Sequence, residues 1–97
     1  MTTYFVTRHV GAVEWAARQG IAIDRTVPHL DPSEIRPGDV VLGTLPVHLA
    51  AEVCVRGGRY LHLVLELSPD RRGLELTAEE MTRCGARLVE YRVERVP

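Results

Sequence analysis

The fold can be predicted from residues 4–15, which read YFVTRHVGAVEW. The first three residues of this stretch form a short apolar run of the kind found in β-strands, and three polar residues follow it directly. Val10, Val13 and Ala17 then have the i, i+3, i+7 spacing of the buried stripe of a helix. The stretch therefore predicts a strand that leads at once into a helix.

Thr7, Arg8 and His9 are expected where this strand ends and the helix begins. Free backbone N–H groups and the helix dipole favour an anion at such a position. An arginine and a histidine placed there indicate chemistry on a phosphate. The alternative is that Thr7 only caps the helix, while Arg8 and His9 are solvated loop residues.

The composition is that of one ordinary soluble domain. The chain has 97 residues, 26% of them charged, and a formal net charge of −1. It lacks the basic excess expected of a protein that binds long nucleic acid, so an anionic ligand must be met by local residues. A domain this small has little room for a pocket, which favours a homodimer with sites across a two-fold axis.

Several classes of protein are not expected from this sequence. There is no apolar run near the roughly 18 residues of a membrane-spanning helix and no signal peptide, so we expect a cytoplasmic protein without membrane contact. Cys54 and Cys84 fall in helical patterns and are predicted to be reduced, buried and not metal ligands. Because neither GxGxxG nor GxxxxGK[ST] is present, we expect no cofactor.

A second strand-to-helix corner is predicted in the middle of the chain. The continuous apolar run at 40–42 is typical of a buried parallel strand, and Gly43-Thr44-Leu45-Pro46 follows it. Thr44 is the expected N-cap and Pro46 fits the first helical turn. Val47, Ala50, Ala51 and Cys54 form the predicted buried stripe. His48 lies off that stripe, as either an exposed helix residue or a site residue.

The remaining segments complete an alternating pattern. Residues 21–27 read as a charged edge strand, 31–39 as a single helical turn, and 60–67 as a strand in which His62 is interpreted as a packing residue. The loop at 68–73 is expected to bring Arg71 and Arg72 near the rim of the predicted site, although Arg71 is better interpreted as a solvated loop residue. Residues 77–84 read as a helix with a capping box, and 88–96 as an exposed edge strand.

This order predicts an open α/β sheet of mostly parallel strands, with helices on both faces and right-handed crossovers. We expect a strand order near 2-1-3-4, with the C-terminal strand at an edge. Ligands bind such sheets beyond the carboxyl ends of the strands, where the direction of the connections reverses. The reversal falls between the first and third strands, so the two corners should converge on one site.

Three stretches also carry a resemblance to a known family: YFVTRH with GA and EW at 4–15, GTLPV with LAA at 43–51, and RYLHL at 59–63 with GARL at 85–88. Together they resemble the sixteenth family of the Csx series, small CRISPR-associated accessory proteins from type III loci. The resemblance implies a fold akin to the CRISPR-associated Rossmann fold (CARF), a homodimer, and ring nuclease activity. A ring nuclease opens cyclic oligoadenylate second messengers, here expected to be cyclic tetra-adenylate, and so ends type III signalling.

The residues suit metal-independent cleavage, in which a ribose 2′-hydroxyl attacks its own phosphodiester. We predict catalytic roles for Arg8, His9 and His48. The predicted ligand-binding residues are Thr7, Gly11, Gly43, Thr44, Leu45, Pro46 and Arg72.

Two alternatives remain open. The protein could bind the cyclic nucleotide without cutting it. Arg8-His9 is also similar to the Arg-His-Gly opening of histidine phosphatases, but position 10 is valine and the chain is short for that fold.

Overall fold

The computed structural model describes residues 1–71, 73 and 75–97, and its elements follow the predicted alternating order. They are β1 Thr3–Val6, α1 Val10–Arg18, β2 Arg25–Val27, a 3-10 turn Pro32–Glu34, β3 Val40–Gly43, α2 Val47–Val55, β4 Arg59–Val64, a 3-10 turn Pro69–Arg71, α3 Ala78–Arg83 and β5 Arg87–Tyr91. None of the helices in this described part of the chain combines the length and the apolar content needed to cross a membrane.

The strands form one sheet in the order β2-β1-β3-β4-β5. β1 is parallel to both β2 and β3, β3 is parallel to β4, and β5 pairs antiparallel with β4 at the edge. The predicted fold class, strand order and C-terminal edge strand are therefore confirmed. Three predicted strands are shorter than expected: β2 begins at Arg25, β4 ends at Val64 and β5 ends at Tyr91.

Alternate residues of the buried strands enter two apolar clusters, one on each face of the sheet. Phe5 and Leu42 belong to the cluster under α1 and α3, whereas Tyr4 and Val41 belong to the cluster under α2. This arrangement confirms helices on both faces. It also explains why residues 40–42 are continuously apolar, because both sides of β3 are covered.

The predicted buried stripe of α1 is wrong. Val10 and Val13 are exposed, at 72% and 38% of their surface, and the buried residues of the helix are Gly11, Ala12, Trp15 and Ala16. The physical reason is Trp15, which is 3% exposed and buries far more apolar surface than a valine does. A Cβ on Gly11 would stand 1.9 Å from the Leu76 carbonyl oxygen, so the glycine also permits close packing.

The start of α2 differs from the prediction as well. The N-cap is Pro46 and makes no side-chain cap bond, so Thr44 does not cap this helix. Val47 is 72% exposed, while Ala50 and Val53 are buried against the sheet. By contrast, the capping box at the start of α3 is confirmed, with Thr77 as N-cap and its side chain accepting from the Glu80 N–H.

A buried carboxylate ties the start of the chain to β3. Asp39 is 4% exposed, and its two oxygens accept from the Thr2 N–H at 2.8 Å and the Arg36 N–H at 2.9 Å. The Arg36 and Thr2 N–H groups hold the pKa of Asp39 below its usual range, because they stabilise the charged form.

Candidate functional site

The two predicted corners lie at the same edge of the sheet. β1 and β3 are adjacent and parallel, with Val6 opposite Gly43 at their carboxyl ends. A pocket of about 200 Å³ opens there, which we call the corner pocket. Its lining contains the polar residues Thr7, His9 and Thr44, with Gly43 and apolar side chains behind them. The convergence of the two corners is therefore confirmed, although the chemical role of the pocket is a separate question.

Thr7 shapes the first corner. Its own N–H donates to the Val27 carbonyl at 2.9 Å, and its Oγ1 accepts from the His9 N–H at 3.1 Å. His9, rather than Thr7, is the N-cap residue of α1, with φ −107° and ψ 122°, and its side chain makes no cap bond. The imidazole is therefore available for another partner.

That partner is the carboxylate of Glu75, whose Oε1 lies 2.5 Å from Nδ1 of His9. Both side chains are largely exposed, at 63% and 70%. A carboxylate accepts only, so the contact favours the tautomer with the proton on Nδ1 and leaves the Nε2 lone pair for another group. This is the arrangement of a histidine base held by an acid. Sequence reasoning missed Glu75, because it is 66 residues away in a loop with no recognisable motif.

The second corner is held from β4 by a buried tyrosine. The Tyr60 hydroxyl accepts from the Leu45 N–H at 2.8 Å, donates to the Gly43 carbonyl at 3.1 Å, and lies 2.7 Å from Nδ1 of His62. Burial raises the pKa of Tyr60, so the hydroxyl stays protonated at neutral pH. Because the Leu45 N–H is already bonded, it is not one of the free backbone donors expected at this corner.

Gly43 allows the two corners to approach closely. Its φ is +152°, and a Cβ built on it would stand 2.8 Å from the Val6 carbonyl oxygen. Any larger residue would have to move the end of β1 or β3, which are the strands that carry Thr7 and Thr44 to the pocket.

The other predicted site residues that the structure describes lie outside the pocket lining. Arg8 is exposed beside it and has no ion-pair partner among the residues that the structure describes. Gly11 packs against Leu76, and Pro46 is exposed at the start of α2. The predicted binding residue Arg72 lies outside the described residues. The ligand-binding roles of these positions stay predictions.

His48 is not brought together with His9. It lies in the first turn of α2 and lines a different groove, of about 600 Å³, against residues 93–95. The chain described by the structure also contains no group of three or more His, Cys, Asp or Glu side chains placed to hold a metal ion.

A protein-family model matches most of the chain. Residues 4–94 match the family model described as "Putative CRISPR-associated protein (Cas_VVA1548)". The matched region includes both corners, Tyr60, His62 and Glu75. No curated protein and no solved structure gives a significant match to the chain.

Proposed function

Because the chain belongs to the Cas_VVA1548 family, which is described as CRISPR-associated, we propose that it is a ring nuclease for cyclic oligoadenylate. The proposed reaction is metal-independent opening of the ring, with cyclic tetra-adenylate as the first substrate to test. A ribose 2′-hydroxyl loses its proton and forms a bond to the adjacent phosphorus, while the bond from that phosphorus to the 5′-oxygen of the next nucleotide breaks. The 5′-oxygen takes up a proton from water, and the product is linear with a 2′,3′-cyclic phosphate end.

The observation that supports this proposal best is the corner pocket with its histidine–carboxylate pair. Thr7 and His9 come from the first corner and Gly43 and Thr44 from the second, so one phosphodiester can be contacted from both sides. The pair between His9 and Glu75 adds a possible proton acceptor at the same place. The pair is exposed and the histidine side chain makes no cap bond, so the imidazole is accessible to a ligand.

We assign the chemical steps to three side chains. His9 removes the proton of the 2′-hydroxyl through Nε2, while Glu75 keeps its Nδ1 protonated and fixes the ring orientation. Arg8 is free to make paired hydrogen bonds to the phosphoryl oxygens, on which negative charge increases during attack. A positioned base typically contributes 10²–10⁴-fold, and one well-placed donor about 3 kcal/mol.

The size of the pocket supports a composite site. At about 200 Å³ it is smaller than the ~300–1,000 Å³ of pockets that enclose a drug-sized ligand, so it can hold only part of a ring of four nucleotides. The rest of the ring would lie along the same edge of the sheet and against a second copy of the chain. A two-fold receptor matches a ring of repeated nucleotides, which is why we include a homodimer in the proposal.

The proposal is tested by incubating the wild-type protein with cyclic tetra-adenylate in EDTA and separating the products by chromatography. Cyclic di-AMP serves as the control ligand, because it is a ring of the same base with a different size. Linear oligoadenylate identifies a ring nuclease. A ring that is bound but recovered intact identifies a non-catalytic binding protein.

A third outcome would support the remaining alternative. If the ring is neither bound nor cut, while a phosphomonoester loses its phosphate, the activity is that of a histidine phosphatase. A covalent phosphohistidine that forms in the wild type and is absent from His9→Ala would then identify His9 as the nucleophile in place of the base.

A further inference from the structure

The corner pocket changes from polar at its mouth to apolar at its floor. His9 and Thr44 are exposed at the mouth, and Thr7 is partly buried beside them. The floor is formed by side chains of the apolar cluster under α1 and α3, of which Phe5 and Met81 are at most 3% exposed. The proposed phosphodiester chemistry uses only the mouth and leaves the floor unused.

A phosphate group does not suit this floor. None of the described residues that line the pocket is an arginine or a lysine, and the imidazole of His9 is at the mouth. An anion moved into such an apolar space would lose its hydration without gaining a charged partner. The phosphate therefore stays at the mouth, and the floor suits an uncharged, mostly apolar part of the same ligand.

A single purine base matches the floor in size and character. The pocket has a volume of about 200 Å³, and an apolar cavity of about 150 Å³ already accommodates a benzene ring. Leu65 and Leu76, both partly buried, add apolar surface to the lining. Met81 adds a thioether, which makes favourable contacts with aromatic rings.

Adenine suits this floor better than guanine does. The only exocyclic polar group of adenine is its amino group, whereas guanine has an amino group, a carbonyl oxygen and a ring N–H. Each polar group that is buried without a hydrogen bond costs free energy, so guanine would lose more than adenine on entry. Thr7 can serve a polar edge of the base near the mouth, because its hydroxyl accepts from the His9 N–H and keeps its own proton to donate.

We infer that the floor of the corner pocket is an adenine-binding subsite. It takes one base of the ring, while the ribose and phosphodiester of the same nucleotide lie at the mouth beside His9. That the base belongs to cyclic oligoadenylate rests on the proposed function. Holding the base also restrains its ribose, which keeps the 2′-hydroxyl near the proton acceptor. The protein then recognises the base as well as the phosphate.

The two methionines of the chain allow a direct test, because one lies in the subsite and the other does not. Met81 is 3% exposed in the floor, whereas Met1 is 94% exposed and lies beside Gly38, before the start of β3. In protein with ¹³C-labelled methionine methyl groups, adenosine 5′-monophosphate should shift the Met81 signal through the ring current of the base. The Met1 signal should not move.

Two control ligands show which part of the nucleotide is recognised. Ribose 5-phosphate, which has the phosphate but no base, should leave the Met81 signal in place. Guanosine 5′-monophosphate should shift it less than the adenine nucleotide does at the same concentration. The inference is overturned if Met81 does not respond to adenosine 5′-monophosphate, if ribose 5-phosphate has the same effect, or if the two purines act equally.

The methionine signals also separate the subsite from the proposed function. If the protein cuts cyclic tetra-adenylate but its Met81 signal does not respond to the adenine nucleotide, the ring nuclease stands and the subsite is rejected. If Met81 responds to the adenine nucleotide in a protein that neither binds nor cuts the ring, the subsite stands and the ring nuclease is rejected.

A pair of leucine variants tests the subsite with the ring itself. Leu65 lines the pocket, and in Leu65→Trp the indole would occupy the space of the base. Calorimetry should show about 10-fold or more weaker binding of cyclic tetra-adenylate, because the base can no longer be buried. Leu61 packs against the same apolar cluster but does not line the pocket, so Leu61→Trp is the matched control and should bind as the wild type does. Thermal melts show whether both variants are folded, and a folded Leu65→Trp with wild-type affinity overturns the inference.

Discussion

Asp39 offers a quantitative test of how the first strand is held. Its carboxylate accepts from the backbone N–H groups of Thr2 and Arg36 and is 4% exposed. In Asp39→Asn the amide oxygen can keep one of these bonds, but the NH₂ group cannot accept the other. A lost hydrogen bond to a charged group is worth about 1.5–3 kcal/mol, and Arg36 is exposed enough for water to replace part of it. We therefore expect a loss of about 1–2 kcal/mol in the free energy of unfolding at pH 7.

The loss should depend on pH in a defined direction. Because the two N–H groups lower the pKa of Asp39 in the folded protein, its stabilising effect is complete above the unfolded value of about 3.9. It is lost as the pH falls through the lower folded pKa. The stability difference between wild type and Asp39→Asn should be constant from about pH 5 to 7 and shrink below about pH 4.

Urea unfolding followed by circular dichroism measures both effects. The matched control is Asp24→Asn, at an exposed carboxylate that accepts one bond, from the Thr3 N–H at 2.8 Å, which the amide oxygen of asparagine can keep. It should cost less than Asp39→Asn at pH 7. If Asp39→Asn is as stable as the wild type at pH 7, or if the difference does not change with pH, the account of Asp39 is wrong.

Three further predictions concern the site and its assembly. Arg8→Ala should lose cleavage of cyclic tetra-adenylate and bind it at least about 10-fold more weakly, because a charged contact to phosphate is worth roughly 1.5–3 kcal/mol. The control is Arg18→Ala, at an arginine paired with Glu79, which should cleave and bind as the wild type does in the same assays. Sedimentation at micromolar concentration with this ligand should show a dimer, and a monomer would contradict the composite site. Gly43→Ala should lower the free energy of unfolding by about 1–3 kcal/mol, which is a fall of several degrees in Tm for a domain of this size, because its Cβ would meet a carbonyl at 2.8 Å. Gly20→Ala has a positive φ but nothing within 4 Å, so it should cost less than Gly43→Ala in the same thermal melt.

The strand order could be predicted because the signals that decide it are local. The continuous apolar run at 40–42 is typical of a strand covered on both faces, and the switch from strand to helix after it implies a crossover. Two strand–helix–strand units joined by right-handed crossovers are compatible with only a few strand orders. That strand order makes β1 and β3 neighbours, so the two corners converge whatever contacts their side chains make.

The buried face of α1 could not be predicted in the same way. The helix carries two sets of apolar residues at helical spacing, one through Val10 and Val13 and the other through Ala12 and Trp15. Periodicity alone cannot choose between them. The choice depends on the size of Trp15 and on the packing of Gly11 against the backbone of Leu76, which is 65 residues further along the chain.

The supporting residues of the site were missed for a similar reason. Glu75 reaches His9 from a distant loop, and Tyr60 reaches the second corner from the early part of β4. His62 was interpreted as a packing residue because it is in the middle of its strand, and its imidazole does contact the Tyr60 hydroxyl and the Tyr91 ring. The register of β4 against β3 places it level with Gly43, and register is not visible in the sequence.

Single-turnover cleavage of cyclic tetra-adenylate by wild type and His9→Ala tests the proposed ring nuclease site most directly. With the base removed, the rate should fall about 100-fold or more while the ligand still binds. Glu75→Gln, which keeps an oxygen acceptor for Nδ1–H but removes the charge, should retain more activity than His9→Ala. A His9→Ala variant that opens the ring at the wild-type rate would contradict the account and leave His9 as part of the pocket lining only.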